Sequence, residues 1–220
     1  MIANQPNAPA AESVICQKLN NILARIMEDR HKVQKDARHA SNETYFEDYN
    51  LISRREAELR DWHSNLLALP ESDVDTRALQ AQLTLLLWHS LAQVVLYRPF
   101  LHHLTSDSQD ADFNMRGYEC ASACVRAAMQ AVWVVEAFSS HNLLHAGYWL
   151  NLYILGFAAS IWTLFVTSSS QRTTLEESAV AAWKATELLA VLAKQNLAAR
   201  RLSALLGMLV DSLPLDESSL

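Results

Sequence analysis

Glycine is scarce in this chain. Four glycines and five prolines among 220 residues leave few sites for tight turns. No stretch alternates apolar and polar residues with the period of two that a half-buried strand requires, so an all-α fold is expected. Cys16, Cys120 and Cys124 are too few for a disulfide framework, and no secretory signal opens the chain, which points to free thiols in a reducing, intracellular setting, nuclear or cytoplasmic. Cys120 and Cys124 lie four residues apart in an alanine-rich helical pattern and read as small core residues rather than a redox pair. Basic charge is also short. With 18 Lys and Arg against 24 Asp and Glu, the net charge of -6 offers no footprint for a nucleic-acid backbone, so direct nucleic-acid binding is not expected. Absence of a GxSxG elbow, P-loop, GxGxxG or CxxC pattern removes support for hydrolase, nucleotide and dinucleotide chemistry, and no cofactor is expected.

The longest absence is of charge of either sign. No Asp, Glu, Lys or Arg occurs between Glu136 and Arg172, and within that gap residues 143–167 (LLHAGYWLNLYILGFAASIWTLFVT) are apolar on nearly every face. About 20 such residues suffice to span a bilayer. The flanks are Ser, Thr, Asn and His rather than Lys or Arg, and Asn151, Ser160 and Thr163 dilute the middle. The stretch therefore reads as a buried central helix, and no membrane span is expected.

What is there reads as helix after helix, about seven of them around that central one in a single compact domain. Residues 1–10 are expected to be a disordered lead, 11–213 the all-α domain and 214–220 a disordered tail. Val14, Ile15, Leu19, Ile22, Leu23 and Ile26 recur at three- and four-residue steps and define the first helix; the polar stretch 30–42 either extends it or frays. Tyr45, Phe46, Tyr49, Ile52, Leu59, Trp62, Leu66 and Leu67 mark the second, ended by Pro70. The third carries Leu79 to Val95, with Ser72 or Asp75 as its cap, and should break near Tyr97 and Arg98 because Pro99 lacks an N–H and clashes with the preceding turn. Asp110 or Asp112 would cap a small-residue helix reaching about Phe138. After the central helix, Thr173 or Thr174 stands at capping-box spacing from Glu176 and Glu177, and a last helix runs from about Asn196 to Leu213. The first helix and the leucine face of the third would also suit a homodimer.

Two clusters could carry chemistry. On a continuous helix His141, His145, Tyr148 and Trp149 share one side at i, i+4, i+7 and i+8, followed by Tyr153. His145 could act as general base, Tyr148 as donor to a carbonyl oxygen, and Glu136, if buried, as general acid with a raised pKa; the simpler alternative is a set of core residues with satisfied hydrogen bonds. His141 and His145 have the spacing of a helical zinc pair, but no third ligand or HExxH motif accompanies them, so no metal is expected. The second cluster is Trp88, His89, Tyr97 and Arg98. Arg98 could clamp a carboxylate or phosphate, or pair with Glu119 or Glu136. Trp133, Trp162 and Trp183 read as core fillers, one of which could wall an apolar ligand pocket, and His102 and His103 as solvent-facing.

The order LRDWHSNLLALP, LWHSLAQVVLYRPFL, ECASACVRAAMQAV, GYWLNLYILGFAASIWTLF resembles the later half of the middle regulatory region of fungal zinc-cluster transcription factors, over about Leu59 to Leu209. Tyr97, Arg98, Pro99, Phe100 and Leu101 match the string that closes the helix following its Trp-containing segment; Cys120, Ala127 and Ala128 match its Cys and paired-Ala helix; Tyr153, Phe157, Ala158 and Ala159 match its aromatic helix. The family's DNA-reading module needs six cysteines at fixed spacing for two zinc ions, and this chain has three. If the 220 residues are the whole product, the regulatory region stands alone. The resemblance implies a module that binds a small apolar ligand or a partner, such as a complete transcription factor. The alternative is a cofactor-independent cyclase, isomerase or dehydratase that uses the same pocket on a polyketide- or terpenoid-like biosynthetic intermediate of secondary metabolism.

Overall fold

Short polar side chains fix where three of the helices begin. Asp48 Oδ1 accepts from the backbone N–H groups of Asn50 and Leu51 at 3.0 and 3.1 Å, Asn114 Oδ1 from Gly117 at 3.0 Å, and Asn196 Oδ1 from Ala198 and Ala199 at 2.8 and 3.2 Å. Each satisfies N–H groups that a helix start leaves unpaired. In this computed structural model, which describes residues 8–39, 48–67, 76–105, 114–145, 149–168 and 172–211, the result is all-α. The α-helices are α1 (Ala8–His39), α2 (Tyr49–Leu67), α3 (Thr76–Tyr97), α4 (Met115–Ser140), α5 (Trp149–Ser168), α6 (Arg172–Ala193) and α7 (Leu197–Asp211), with a 3-10 helix at Arg98–Thr105 between α3 and α4. No strand occurs among the described residues.

Several boundaries differ from expectation. α1 starts at Ala8, inside the expected lead, and its polar end stays helical to His39. Asn114, not Asp110 or Asp112, caps α4. Those two aspartates lie outside the described residues, as do Tyr45, Phe46, Ser72, Asp75, residues 1–7 and the tail 214–220. Thr173 and Thr174 lie within α6, which starts at Arg172. Pro99 acts as expected, and the α-helical ladder gives way to the 3-10 helix at Arg98.

The chain divides into two compact units, Met1–Leu79 and Gln80–Leu220, and each is described by itself. In the first, α1 and α2 pair through Leu19, Ile22 and Ile26 on one helix and Leu59, Trp62 and Leu66 on the other, all buried. Trp62 Nε1 donates to the Ile15 carbonyl at 2.9 Å, which satisfies the polar edge of a buried indole. Arg55 is only 7% exposed. Its guanidinium grips Asp29 through Nε and Nη2 at 2.8 and 2.7 Å and Glu58 through Nη1 at 2.7 Å.

In the second unit α5 packs against α4, α6, α7 and the 3-10 helix, which makes it the central element. Leu150, Ile154 and Leu155 are fully buried, with Val132 and Val135 of α4 and Leu189 of α6 also in the core. Ala121, Cys124, Ala128 and Ala131 line the buried face of α4, and such small side chains let neighbouring backbones approach closely. A Cβ placed on Gly117 would stand 2.4 Å from the His103 ring, so the 3-10 helix runs hard against α4 there. His103 is consequently half-buried between Gly117 and Phe100 rather than solvent-facing.

The end of α4 corrects the idea of a helix running from His141 to Tyr153. Asn142 adopts φ 57°. Its N–H bonds to the Ser139 carbonyl at 3.1 Å and the Leu143 N–H to that of Phe138 at 2.7 Å. This is a Schellman stop, with asparagine in the left-handed position usually held by glycine. Residues 143–145 are non-helical and α5 begins only at Trp149. By length and composition the helical runs Thr76–Leu104 and Met115–Ser140 could each cross a membrane, yet 56% of each apolar window is buried inside the protein, as in a core helix. No membrane span is evident.

Candidate functional site

The outward side of α5 is aromatic. Trp149, Tyr153 and Phe157 follow at i, i+4 and i+8, which places them along one side of the helix over about 12 Å. Trp149 is 58% exposed and Tyr153 40%, so α5 is not shielded on every face as the sequence suggested. The rings contact one another in series. Trp88 of α3 meets Trp149 edge-on with centroids 6.2 Å apart, Trp149 meets Tyr153 edge-on at 6.4 Å, and Tyr153 stacks on Phe157 at 6.2 Å with planes 5° apart. Offset and edge-on contacts of this kind are favourable for the quadrupoles of the rings. Arg98, exposed at the start of the 3-10 helix, holds its guanidinium carbon 5.3 Å from the centre of the Phe157 ring in a cation–π contact.

The structure therefore brings together Trp88, Arg98, Trp149 and Tyr153 from the two predicted clusters and adds Phe157. That residue had counted only as part of the family resemblance. The i, i+4, i+8 aromatic spacing was legible, but it was masked by a stretch in which every face is apolar.

The other candidates stand elsewhere. His89 and Tyr97 are buried on α3. His141 caps α4, its Nδ1 donating to the Ala137 carbonyl at 2.8 Å, and His145 lies exposed in the segment after that cap, so the pair does not have helical zinc spacing. Tyr148 lies outside the described residues, as does the side chain of Trp162. Trp133 and Trp183 are exposed rather than core fillers. Glu136 bonds to Lys184 of α6 at 2.8 Å, and Glu119 to Arg116 at 3.2 Å, so neither is the partner of Arg98. Among the described residues no three His, Cys, Asp or Glu side chains come together as a metal site. A mixed groove of about 620 Å³ between α1 and α2, lined by Lys18, Ile22, Asp61 and Trp62 among others, contains none of the candidates.

Among the described residues two groups have shifted proton affinities. The hydrogen bond that Lys184 donates to Glu136, aided by the one it donates to Glu187, raises its pKa above the ordinary lysine value. A raised cation pKa means that this contribution to stability is present at neutral pH and is lost as pH rises through the raised value. The pair is surface-exposed and correspondingly weak. Lys184→Met should therefore leave the thermal midpoint at pH 7 nearly unchanged and slightly flatten its decline on the alkaline side, readable in parallel melts.

Burial pushes the Cys124 thiol up to about 12, against a smaller lowering by the charge of Arg98. Its Sγ lies 3.8 Å from the Val94 carbonyl in the core. A thiol this reluctant to ionise is a poor nucleophile. With Cys16 exposed and Cys120 buried as well, an aromatic disulfide reagent at pH 8 should titrate one thiol quickly and the other two only on unfolding. Rapid reaction of two or three thiols would contradict the packing of α3 on α4.

The fold and the strip define an all-α module whose candidate site is an open surface rather than a cleft. Comparison with known proteins places that module beside fungal transcriptional regulators. The chain is 25% identical over 146 residues to Activator of stress genes 1 of Saccharomyces cerevisiae, covering 65% of this chain and 14% of the relative. It is 25% identical over 158 residues to Activator of stress genes protein 1 of Candida albicans, covering 64% and 16%. A further Saccharomyces cerevisiae protein, named as a transcriptional regulatory protein, is 25% identical over 76 residues. The chain thus spans only a small part of the length of these relatives. No protein-family model and no solved structure matches it.

Proposed function

We propose that this chain is a helical regulatory module of a fungal transcription regulator, acting in the nucleus or cytoplasm by binding an apolar ligand or a protein partner rather than DNA. The observation that carries this reading is the similarity to two stress-gene activators across about two thirds of the chain. The net charge of -6 favours a partner other than nucleic acid, and the exposed aromatic strip supplies apolar surface for one. The enzymatic alternative draws less support, because His145 is exposed and Glu136 is held in an ion pair with Lys184.

The test is to tether the full chain to an unrelated DNA-binding module at a reporter promoter. A change in output of several-fold over the module alone is expected, together with no retardation of duplex DNA by the purified chain at physiological salt. An unchanged reporter, or salt-dependent binding to duplex DNA, would overturn the proposal.

A further inference from the structure

We infer that the strip formed by Trp88, Trp149, Tyr153 and Phe157, with Arg98 at its end, docks an amphipathic helix of a partner protein that carries a carboxylate one turn beyond its apolar stripe. The inference rests on the reading of the chain as a binding module and commits that reading to one kind of occupant. Three observations lead to it.

The first is shape. A small apolar ligand is held by enclosure, with most of its surface buried. The strip is open at Trp149 and Tyr153, with Trp88 and Phe157 partly buried at its ends. An elongated apolar surface some 12 Å long suits the i, i+3 or i+4, i+7 anchors of a helix lying across it.

The second is composition. Tryptophan and tyrosine are rigid, bury large areas at small entropic cost, and dominate the energetics of protein interfaces. Here they are already ordered against one another, each ring fixed by the next. Binding would therefore immobilise few additional rotors.

The third is charge, and it selects the partner's chemistry. Arg25, Arg55, Arg116 and Lys184 are each ion-paired within 3.2 Å. Arg98 is exposed, and among the described residues it has no carboxylate within ion-pair distance; its contact is the face of Phe157. A guanidinium stacked on a ring still presents its N–H edge, and that edge matches a carboxylate in bidentate fashion. A second copy of this chain fits less well. The strip's own residues, Trp88, Arg98, Trp149, Tyr153 and Phe157, include no acid to meet a second Arg98, and two molecules of charge -6 repel.

The experiment is selection from a displayed library of helical peptides, randomised on one face, against the full chain. Counter-selection uses the double variant Trp149→Ser, Tyr153→Ser, whose helical content by far-ultraviolet circular dichroism should match that of the parent because both rings are exposed. The expected result is a set of peptides with apolar residues at i, i+4 and i+7 and Asp or Glu at a fixed position one turn further. Their affinity should fall about tenfold or more on the double variant and on Arg98→Glu. A fresh selection against Arg98→Glu should shift that fixed position to Lys or Arg. Peptides that bind the double variant equally well, or that show no acidic preference, would overturn the proposal. So would sedimentation showing a dimer that Trp149→Ser, Tyr153→Ser dissolves. The reporter measurement separates the two readings. A tethered chain that alters the reporter while no strip-dependent peptide emerges leaves the regulatory role standing without this surface. A silent reporter with strip-dependent, acid-selective peptides leaves the surface standing without that role.

Discussion

Gly156→Leu is expected to destabilise the second unit by about 3 kcal/mol or more, the upper range for overpacking a core. A Cβ on Gly156 would already stand 2.7 Å from Cδ2 of Leu202, closer than carbon atoms approach without displacement, and leucine adds three further carbons to that contact. α5 and α7 would have to separate, and with them the buried Leu206 and the face of α5 carrying Leu155 and Ala159. The measurement is urea denaturation followed by far-ultraviolet circular dichroism. Gly156→Ala should be milder, because the atom it meets is the far end of a flexible side chain and alanine recovers up to about 1 kcal/mol of helix propensity. Leu202→Ala should relieve part of the damage of Gly156→Leu, giving a favourable coupling in a double-mutant cycle. Additive effects, or a Gly156→Leu protein as stable as the parent, would contradict the close crossing of α5 and α7.

Arg55→Ala is expected to loosen the first unit by about 2 to 3 kcal/mol. Removing one member of a buried ion pair strands the partner charge, which costs about 3 to 5 kcal/mol when the site is fully buried. Here the Arg55 side chain is 9% exposed, but Asp29 and Glu58 keep 18% and 29%, so water recovers part of that loss. The same change would leave Glu58 held by Arg25 alone, at 2.9 Å. Hydrogen exchange should show faster exchange of the α1 and α2 amides with little change in α4 and α5. Replacing Asp29 and Arg55 together by leucine and methionine should restore much of the stability, since apolar residues of similar size remove the desolvation cost of both charges. A single Arg55→Ala variant as resistant to exchange as the parent would mean that the pairing does not hold α1 to α2.

The sequence was most informative where the signal is local. Helical periodicity, the scarcity of glycine and the proline at position 99 foretold the class of fold, the number of helices and the break after Tyr97. Each depends on a residue and its neighbours within a turn or two. The end of α4 near Phe138 was anticipated, but the non-helical segment after it was not, because the left-handed position at Asn142 carries asparagine instead of the more usual glycine, and the central helix was drawn from His141 rather than Trp149. Everything built on one helix from His141 to Tyr153 went with it, including the shared face of His141 and His145.

The candidate site was legible in part. Trp88, Arg98, Trp149 and Tyr153 were singled out as residue types suited to binding, but two separate clusters were inferred, and their meeting required α3, α5 and the 3-10 helix to be placed together. Trp133 and Trp183 show the converse. Large apolar side chains are core by default, and only the packing of α4 and α6 reveals that these two face outward.

By itself, then, the sequence determined that this is an all-α protein of net charge -6 with an uncharged central helix, because composition and periodicity suffice for those properties. The tertiary structure alone decided which side of that helix is left uncovered. A helix that is apolar all round carries no mark of its exposed face in its own pattern; the neighbours that cover Leu150, Ile154 and Leu155 decide that Trp149 and Tyr153 remain open beside Arg98.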